Sequence, residues 1–440
     1  MKEVQAYCKH IIFGIILIML TIPLIQKHTG IFLEVGLKGA IVAADKPILS
    51  VKGWFDAKYQ EKMETYLNES FGLRNYFVRF NNQIAFSLFK KAKANGVIIG
   101  KQNYLYEENY IKAYYGKDFI GEDSVLHQVQ RFKYVQDTLQ KLHKQLIMVL
   151  AAGKGSFYPE YFPNRFKTVK GKTNYEYYAK YAKKYGVNCM DFNRYFLDNK
   201  IVSPYPLYPR YGIHWSLYGA YKVIDSMIRY TEEKMGYHFA DVLLKEIKWD
   251  KANDTDYDIA DGMNLFFELE RPEMAYPQYT IISDTSHAGP SLLVISDSFY
   301  WVLYGLGISK AFSKDHFWFY NKEIYPESFT SKTDTRNTSL RNEIAKHDVI
   351  IIMATEATLP SFGWGFIEDA FEVYAHNKPD NPVRHEDAFQ REVINMIRYI
   401  KTDEKWYSMI KKKAAKNGIP VDSMLVLDAT WMIEQNRIIP

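Results

Sequence analysis

Residues 291–299 read Ser-Leu-Leu-Val-Ile-Ser-Asp-Ser-Phe, an apolar run that leads directly into a short acidic-serine turn. A run of this length bounded by turn residues predicts a fully buried strand, and the apolar residues between Trp301 and Leu306 predict a helix after it. A serine at the exit of a parallel strand lies at the carboxyl edge of the sheet, where open α/β folds bind ligands. Ser298 is therefore a candidate nucleophile, although Asp-Ser at this position is also an ordinary helix N-cap.

Further short apolar runs repeat this pattern along the chain, with amphipathic helices between them. Buried strands that alternate with helices predict an α/β fold with a parallel sheet covered on both faces. A polar turn between two short apolar segments also predicts a hairpin within residues 97–106. The predicted sheet strands are Leu146–Ala151, Val187–Met190, Leu292–Ile295, His316–Tyr320 and Val349–Met353.

The N-terminus carries an almost uninterrupted apolar run from Ile11 to Ile25. It is close to the shortest length that spans a bilayer, and Pro23 is expected to break its last turn. We expect residues 1–26 to form an uncleaved signal anchor, with a cleaved signal peptide as the alternative. Ala43 and Ala44 are small enough for cleavage but lie too far beyond the run. Either alternative places the rest of the chain outside the cytoplasm.

Three further regions follow the anchor. Apolar residues recur every fourth position from Phe55 to Phe71, and a second amphipathic stretch runs from Phe77 to Phe89, so residues 27–95 are predicted to form membrane-proximal helices. Residues 96–360 contain the predicted α/β domain. Residues 361–440 are predicted to be a C-terminal helical extension, with helices around Phe389–Ile400 and Trp406–Ala415.

Composition narrows the function classes. The net charge of +5 is spread along the chain without a basic block, which argues against nucleic acid as a partner. The 35 Tyr and 8 Trp are compatible with sugar-stacking clefts or with a tyrosine-rich core. His316, His347 and His385 lie on separate segments and are interpreted as surface or strand-end residues, so no metal site is expected. Without a glycine-rich phosphate loop, no cofactor is expected either.

A second chemical candidate lies in the segment Tyr-Gly-Ile-His-Trp-Ser at residues 211–216. Ser216 can cap the helix that follows, which places His214 on the turn before it. A histidine in that position could accept the Ser298 proton as a general base. A lone histidine in a turn is usually structural, so the two segments must be considered together.

Together these segments resemble the SGNH-hydrolase-like family of alginate O-acetyltransferases and the related group named for a DHHW motif. The histidine precedes the serine, an order that is circularly permuted relative to ordinary SGNH esterases. The resemblance implies a three-layer, flavodoxin-like α/β fold. The segments that carry it are Glu69–Arg74, Val97–Lys101 with Tyr104–Tyr106, Lys154–Pro163, His214-Trp215 and Ser296–Phe299.

By position, the resemblance makes Ser298 the nucleophile and His214 the base. The family aspartate stands two residues before the histidine, where this chain has Gly212. Loss of an orienting carboxylate costs serine proteases on the order of 10⁴ in turnover. Three alternatives remain: Asp191 or Glu356 orients the histidine, a Ser–His dyad suffices, or the site is silent.

Other residues near these motifs receive secondary roles. Asp297 is expected to cap the helix or brace the turn rather than join the chemistry. Arg210, Tyr211 and Trp215, which flank the histidine, are the candidate substrate contacts.

The implied function is O-acylation, with acetyl as the expected acyl group, of an exported or cell-envelope polysaccharide through a serine acyl-enzyme. The resemblance also implies a multipass membrane acyltransferase partner that supplies the acyl group to this membrane-anchored chain. A carbohydrate esterase would use the same residues with water as acceptor. The alternative from another class is a non-catalytic glycan-binding or scaffold subunit of a polysaccharide modification or export assembly, for which Gly212 is the best argument.

Overall fold

The computed structural model of the chain describes residues 2–39, 44–284, 287–376, 393–394 and 396–438. Its strands form one central sheet, one short hairpin and one long two-stranded ribbon. The strands are β1 (Val97–Ile99), β2 (Leu105–Glu107), β3 (Gln145–Ala151), β4 (Cys189–Asp191), β5 (Ala240–Lys251), β6 (Glu273–Ser283), β7 (Ser291–Ser296), β8 (Lys314–Phe319), β9 (Glu323–Tyr325) and β10 (Val349–Thr355).

The central sheet has six strands in the order β4-β3-β10-β7-β8-β9. All neighbours are parallel except β8 and β9, which form an antiparallel edge. The central strand β10 is buried at every residue, and its composition is rich in isoleucine. Continuous burial of β-branched residues is typical of strands covered on both faces. The five sheet strands predicted from the apolar runs are all present.

Helices cover both faces of the sheet, which gives three layers. One face packs against α10 and α12, and the other packs against α6, α8, α13 and α14. Each strand alternates between these two cores. The helices are α1 (Lys2–Thr29), α2 (Val51–Phe55), α3 (Lys58–Ser70), α4 (Arg74–Phe89), α5 (Glu108–Tyr114), α6 (Glu122–Lys141), α7 (Lys154–Phe157), α8 (Asn174–Tyr185), α9 (Phe192–Asn199), α10 (Leu217–Met235), α11 (Asp258–Gly262), α12 (Phe299–Gly305), α13 (Leu340–Ala345), α14 (Phe366–Ala375), α15 (Glu404–Asn417) and α16 (Val421–Ile438).

The ribbon of β5 and β6 is an element that no sequence pattern predicted. Its register runs from Ala240 opposite Ser283 to Lys251 opposite Glu273. Most of its residues are exposed or half-buried, so it lacks the clean apolar alternation that marks a half-buried strand. The ribbon matters for the site because the short helix α11 lies in the connection between its two strands.

The N-terminal helix α1 includes a stretch, Lys9–Thr29, that is long and apolar enough to cross a membrane. Pro23 does not end this helix, which continues to Thr29. The prediction of a break in the last turn was therefore wrong. The end of the helix is held by contacts outside it: Lys27 Nζ donates to Ser70 O at 2.6 Å, and a Cβ on Gly72 would lie 2.3 Å from the Pro23 carbonyl oxygen.

The membrane-proximal region is divided differently from the prediction. The single stripe expected from Phe55 to Phe71 is broken into α2 and α3, and neither helix has a buried residue. Of α2, α3 and α4, only α4 reaches the α/β core, through Phe86. Apolar side chains such as Phe55 and Leu67 therefore remain exposed.

The C-terminal helices form a small core of their own. Ile400, Ile410 and Leu425 are buried together where residues 396–402, α15 and α16 meet. The start of the helix predicted from Phe389 lies outside the described residues, and so does His385.

Candidate active site

The serine turn lies at the carboxyl edge of the sheet, where β7 passes into α12. Asp297 is buried and braces this turn. One carboxylate oxygen accepts from the Phe299 amide at 3.1 Å, and the other accepts from the amide and hydroxyl of Thr355 and from the Thr358 hydroxyl. The end of β7 is thereby tied to the end of β10. Asp297 has the bracing role that was expected for it, and Ser298 is left partly exposed.

His214 is presented by the turn before α10. Ser216 caps that helix by accepting from the Gly219 amide at 2.9 Å, and its hydroxyl donates to the Pro206 carbonyl. The imidazole lies against the Phe299 ring, with a distance of 4.8 Å between ring centroids. Its Nε2 lies 3.0 Å from the Ser298 Oγ, which is within hydrogen-bond reach.

The other ring nitrogen contacts a carboxylate that sequence reasoning missed. Asp258 Oδ2 lies 2.7 Å from His214 Nδ1, and Asp258 Oδ1 accepts from the Ile213 amide at 3.0 Å. One carboxylate therefore holds both the imidazole and the backbone beside it. Serine, histidine and aspartate form a continuous relay of the kind used in nucleophilic catalysis. The only sequence signal for Asp258 is a carboxylate at the start of a short helix, which is too common to be selective.

Neither carboxylate proposed from the sequence contacts His214. Asp191 caps α9, accepting from the Arg194 amide at 2.9 Å, and accepts from the Tyr175 hydroxyl. Glu356 accepts from Asn193 Nδ2 at 2.8 Å. It also accepts from Ser156, and burial raises the pKa of its carboxyl. The prediction that Asp191 or Glu356 orients the histidine is corrected, because both side chains are engaged elsewhere and Asp258 has that position.

Gly212 explains why the carboxylate lies on another segment. A Cβ at this position would lie 2.1 Å from the Thr255 carbonyl oxygen and 2.9 Å from Pro209 Cγ. The backbone of the segment that leads to Asp258 therefore occupies the space that an aspartate side chain at residue 212 would need. Glycine permits this close backbone approach. In this chain the missing family aspartate is a condition for the Asp258 contact.

The buried side chain of Lys154 contacts the backbone of the same turn. Lys154 Nζ donates to the carbonyl oxygens of Arg210 and Gly212, and the lysine has no exposed surface. Burial lowers the pKa of Lys154 to about 7, against the opposing charges of Asp258 and Glu107. Its carbonyl contacts fix the backbone two residues before His214.

Tyr320 is a further site residue that the sequence did not reveal. Its phenol lies near Ser298, and burial raises the pKa of the phenol. Its backbone amide donates to the Ser296 carbonyl at 2.9 Å, which fixes it beside the serine turn. A phenol in this position can donate to an oxygen that develops charge on an acyl group at Ser298.

The candidate substrate contacts are corrected in part. Trp215 has no exposed surface and packs against Phe299 with ring centroids 5.1 Å apart, and Tyr211 is 4% exposed. Both rings belong to the core behind the site, so they do not reach a substrate. Arg210 remains half-buried, with its guanidinium over the Tyr104 ring, and is the one of the three with partial access to solvent.

Comparison with known protein families gives a match over part of the chain. Residues 97–258 match the family model of the SGNH hydrolase-like domain of the acetyltransferase AlgX. The match covers the hairpin, His214 and Asp258, and it ends before Ser298. The family recognised in the sequence is confirmed for this segment, and the three-layer sheet is the α/β fold expected of it.

Solved structures give low-similarity matches over a larger part of the chain. The O-acetyltransferase domain of Pseudomonas putida AlgJ is 16% identical, with 63% of this chain and 99% of that chain covered and a TM-score of 0.40. Pseudomonas aeruginosa AlgX is 12% identical, with 62% and 67% covered and a TM-score of 0.37. A Bacillus cereus PatB1 structure with a sulfonyl adduct is 11% identical, with 60% and 97% covered and a TM-score of 0.38. No curated protein sequence matches the chain significantly.

Replacing Asp258 by asparagine tests the orienting carboxylate. We expect Asp258→Asn to lower the rate of Ser298 acylation by an activated acetyl ester by roughly 10³ to 10⁴, because the amide neither fixes the imidazole tautomer nor stabilises the imidazolium. Asp254→Asn, which changes an exposed carboxylate four residues earlier on the same connection between β5 and β6, is the matched control and should retain the wild-type rate. Equal rates in the two variants would exclude an orienting role for Asp258.

The pH dependence of acylation should follow His214. Burial would lower the pKa of this imidazole, but the hydrogen bond and charge of Asp258, with Asp297 and Glu107 nearby, raise it above its ordinary value. A general base acts in its neutral form, so the rate should fall as the pH drops through that raised pKa. In Asp258→Asn the acid limb should move to lower pH. A rate profile with the same limb in both proteins would contradict this assignment.

Gly212→Ala tests the close backbone approach. The added Cβ meets the Thr255 carbonyl oxygen, so we expect a loss of about 1–3 kcal/mol in the free energy of unfolding, as for overpacked cores, together with slower acylation. Gly262→Ala is the control, because no atom lies within 4 Å of a Cβ there. Thermal unfolding and ester turnover measure the two effects. Unchanged stability and turnover in Gly212→Ala would disprove the constraint.

Proposed function

We propose that this chain is an extracytoplasmic, membrane-anchored O-acyltransferase that transfers an acyl group, most simply acetyl, to hydroxyl groups of an exported or cell-envelope polysaccharide. The observation that carries the proposal is the unbroken relay from Ser298 through His214 to Asp258. The match to an acetyltransferase domain over residues 97–258 supports the acyl chemistry.

Acylation begins when Ser298 Oγ attacks the acyl carbonyl carbon. His214 Nε2 accepts the hydroxyl proton, and Asp258 stabilises the resulting imidazolium through Nδ1. The Tyr320 hydroxyl, near Ser298, can donate a hydrogen bond to the developing oxyanion. Collapse of the intermediate breaks the bond to the donor, and the leaving group takes the proton from His214.

Transfer to the acceptor reverses these steps. A sugar hydroxyl gives its proton to His214 and attacks the acyl-serine, and the new ester leaves as Ser298 recovers its proton. Water in place of the sugar makes the same site an esterase. The two activities share every residue, so they differ only in which nucleophile the site admits.

The alternative of a non-catalytic glycan-binding or scaffold subunit rested on Gly212. With Asp258 beside His214, that residue no longer argues for a silent site. The relay is also partly open to solvent, since the side chains of His214 and Asp258 are 13% and 29% exposed. A substrate can therefore approach Ser298.

The N-terminal helix supports the proposed location. Most of the apolar side chains of Lys9–Thr29 are exposed, and Val51, Trp54, Phe55 and Leu67 of α2 and α3 are also exposed in the segment that follows it. Such surface is stable in a bilayer or at its interface rather than in water. A multipass membrane acyltransferase that delivers the acyl group across the membrane is the partner that this arrangement suits.

Intact-mass spectrometry of the full chain in detergent, incubated with an activated acetyl ester, tests the proposal. We expect one acetyl adduct in the wild type and none in Ser298→Ala or His214→Ala. Ser291→Ala is a matched control, because this serine lies at the other end of β7 and bonds to Asp348 without a histidine. Its adduct should equal that of the wild type.

Added oligosaccharides separate the two activities. Acceptors that speed the loss of the adduct and become acetylated identify a transferase, whereas loss to water alone identifies an esterase. An adduct that persists in Ser298→Ala, or no adduct in the wild type, would overturn the acyl-enzyme.

A further inference from the structure

A second group of functional side chains lies near the amino ends of the sheet strands. His316 in β8, Glu343 in α13 and His347 just before β10 bring one ligand atom each within 4.8 Å of one another. All three residues are buried, with exposures of 7%, 4% and 0%. This corrects the interpretation of His316 and His347 as unrelated surface or strand-end histidines.

The chain brings these residues together by two routes. Glu343 and His347 are four residues apart at the end of α13, a spacing that places both on one side of a helical turn. His316 lies two residues from Trp318 in β8 and therefore on the same face of the sheet, which α13 covers. The sequence did not suggest the cluster because His316 lies in β8 and His347 lies just before β10, and these two strands are on either side of β7.

The histidine rings are oriented as metal ligands are. His347 Nδ1 lies 3.0 Å from the Glu343 carbonyl oxygen, so it carries the proton and leaves the lone pair on Nε2. Within the described part of the chain, Nε2 is buried and has no hydrogen-bond partner. An unpaired buried acceptor costs stability unless it is given a partner.

His316 has the complementary arrangement. Its Nδ1 lies 2.9 Å from Glu343 Oε1, inside the cluster, and its Nε2 lies 3.1 Å from Glu327 Oε1, outside it. Metal-binding histidines commonly donate their other ring N–H to a carboxylate or carbonyl group, which fixes the ring and raises ligand basicity. Both histidines of this cluster have such a partner.

We propose that His316 Nδ1, Glu343 Oε1 and His347 Nε2 bind a divalent transition-metal ion of the zinc class. Two imidazoles and a carboxylate match the nitrogen and oxygen donors that Zn²⁺ accepts. With bonds of about 2.0–2.1 Å in a tetrahedral arrangement, ligand atoms lie roughly 3.4 Å apart, so the present separations need only small side-chain movements. A water completes the set.

The charges in the cluster are compatible with metal binding. The metal replaces the proton between His316 Nδ1 and Glu343 Oε1, and that proton leaves to solvent. Glu343 Oε2 keeps its ion pair with Lys346 Nζ at 2.8 Å.

The site is structural rather than catalytic. His316 pairs in register with Leu293, five residues before Ser298, which corresponds to roughly 16 Å along a strand. The ion would join β8, α13 and the start of β10 at the edge of the sheet opposite the reacting serine. Ester turnover at Ser298 should therefore continue at a similar rate without it.

The test uses the full chain in detergent, stripped with a chelator and titrated with Zn²⁺ or Co²⁺ alone. We expect one equivalent of Zn²⁺ per chain by elemental mass spectrometry, visible ligand-field bands with Co²⁺, and a higher unfolding temperature that the chelator reverses. Removing only the hydrogen-bond partner of a metal ligand weakens metal binding by up to about 100-fold. His347→Leu removes a ligand itself, so it should weaken Zn²⁺ binding about 100-fold or more.

His238→Leu is the matched control, because this exposed histidine also contacts two carboxylates, Glu232 and Asp241, and should leave binding unchanged. If His347→Leu fails to fold, two other measurements decide the question. One is Zn²⁺ binding by Glu343→Gln, which retains a hydrogen-bonding oxygen. The other is zinc-edge X-ray absorption of the wild type. Two imidazoles per zinc support the site. If the wild type binds no Zn²⁺, or if the variants bind it as tightly as the wild type, the proposal is wrong. The three residues are then a hydrogen-bonded histidine–glutamate cluster only.

Discussion

The two-point contact of Asp258 with residues 213 and 214 is the interaction on which the candidate site depends. One carboxylate oxygen contacts the imidazole and the other accepts from the backbone amide before it, so ring and backbone are positioned together. Asp258 is positioned in turn by the ribbon. Arg271, next to the start of β6, stacks on the Tyr257 ring at 3.9 Å, donates to the Ala252 carbonyl and pairs with Asp261. The β5–β6 ribbon therefore braces the short helix that begins with the orienting carboxylate.

The sequence predicts those parts of the fold that depend on residues close together in the chain. Apolar runs such as Leu146–Ala151 and Val349–Met353 predict buried strands because no other environment suits so much contiguous apolar surface. The same local patterns predict the serine turn and the histidine turn. That the two turns act together was inferred only from the family resemblance. Asp258 could not be found this way, because its contact with His214 spans 44 residues and depends on an exposed ribbon with no periodic signal.

Gly212 shows how the same residue supports opposite conclusions before and after the structure is known. In the sequence it is the absence of an expected carboxylate. In three dimensions its missing Cβ lets the backbone at Thr255 approach, and Lys154 fixes its carbonyl oxygen from the opposite side. A buried lysine is stable only where carbonyl oxygens and nearby carboxylates compensate the lost hydration. Lys154, Gly212 and Asp258 therefore form one unit, and the position of the carboxylate cannot be exchanged without rebuilding the whole turn.

The sheet also explains why polar chemistry is concentrated at its two edges. Between those edges the strands are buried on both faces, and an unpaired polar side chain there would lose its hydration without compensation. At the carboxyl edge, the braced turn leaves Ser298 and His214 partly exposed, as a reacting group requires. At the amino edge, His316, Glu343 and His347 are closed off from solvent and face one another. This difference in exposure, rather than in residue type, is why we propose reaction at the carboxyl edge and structural support at the amino edge.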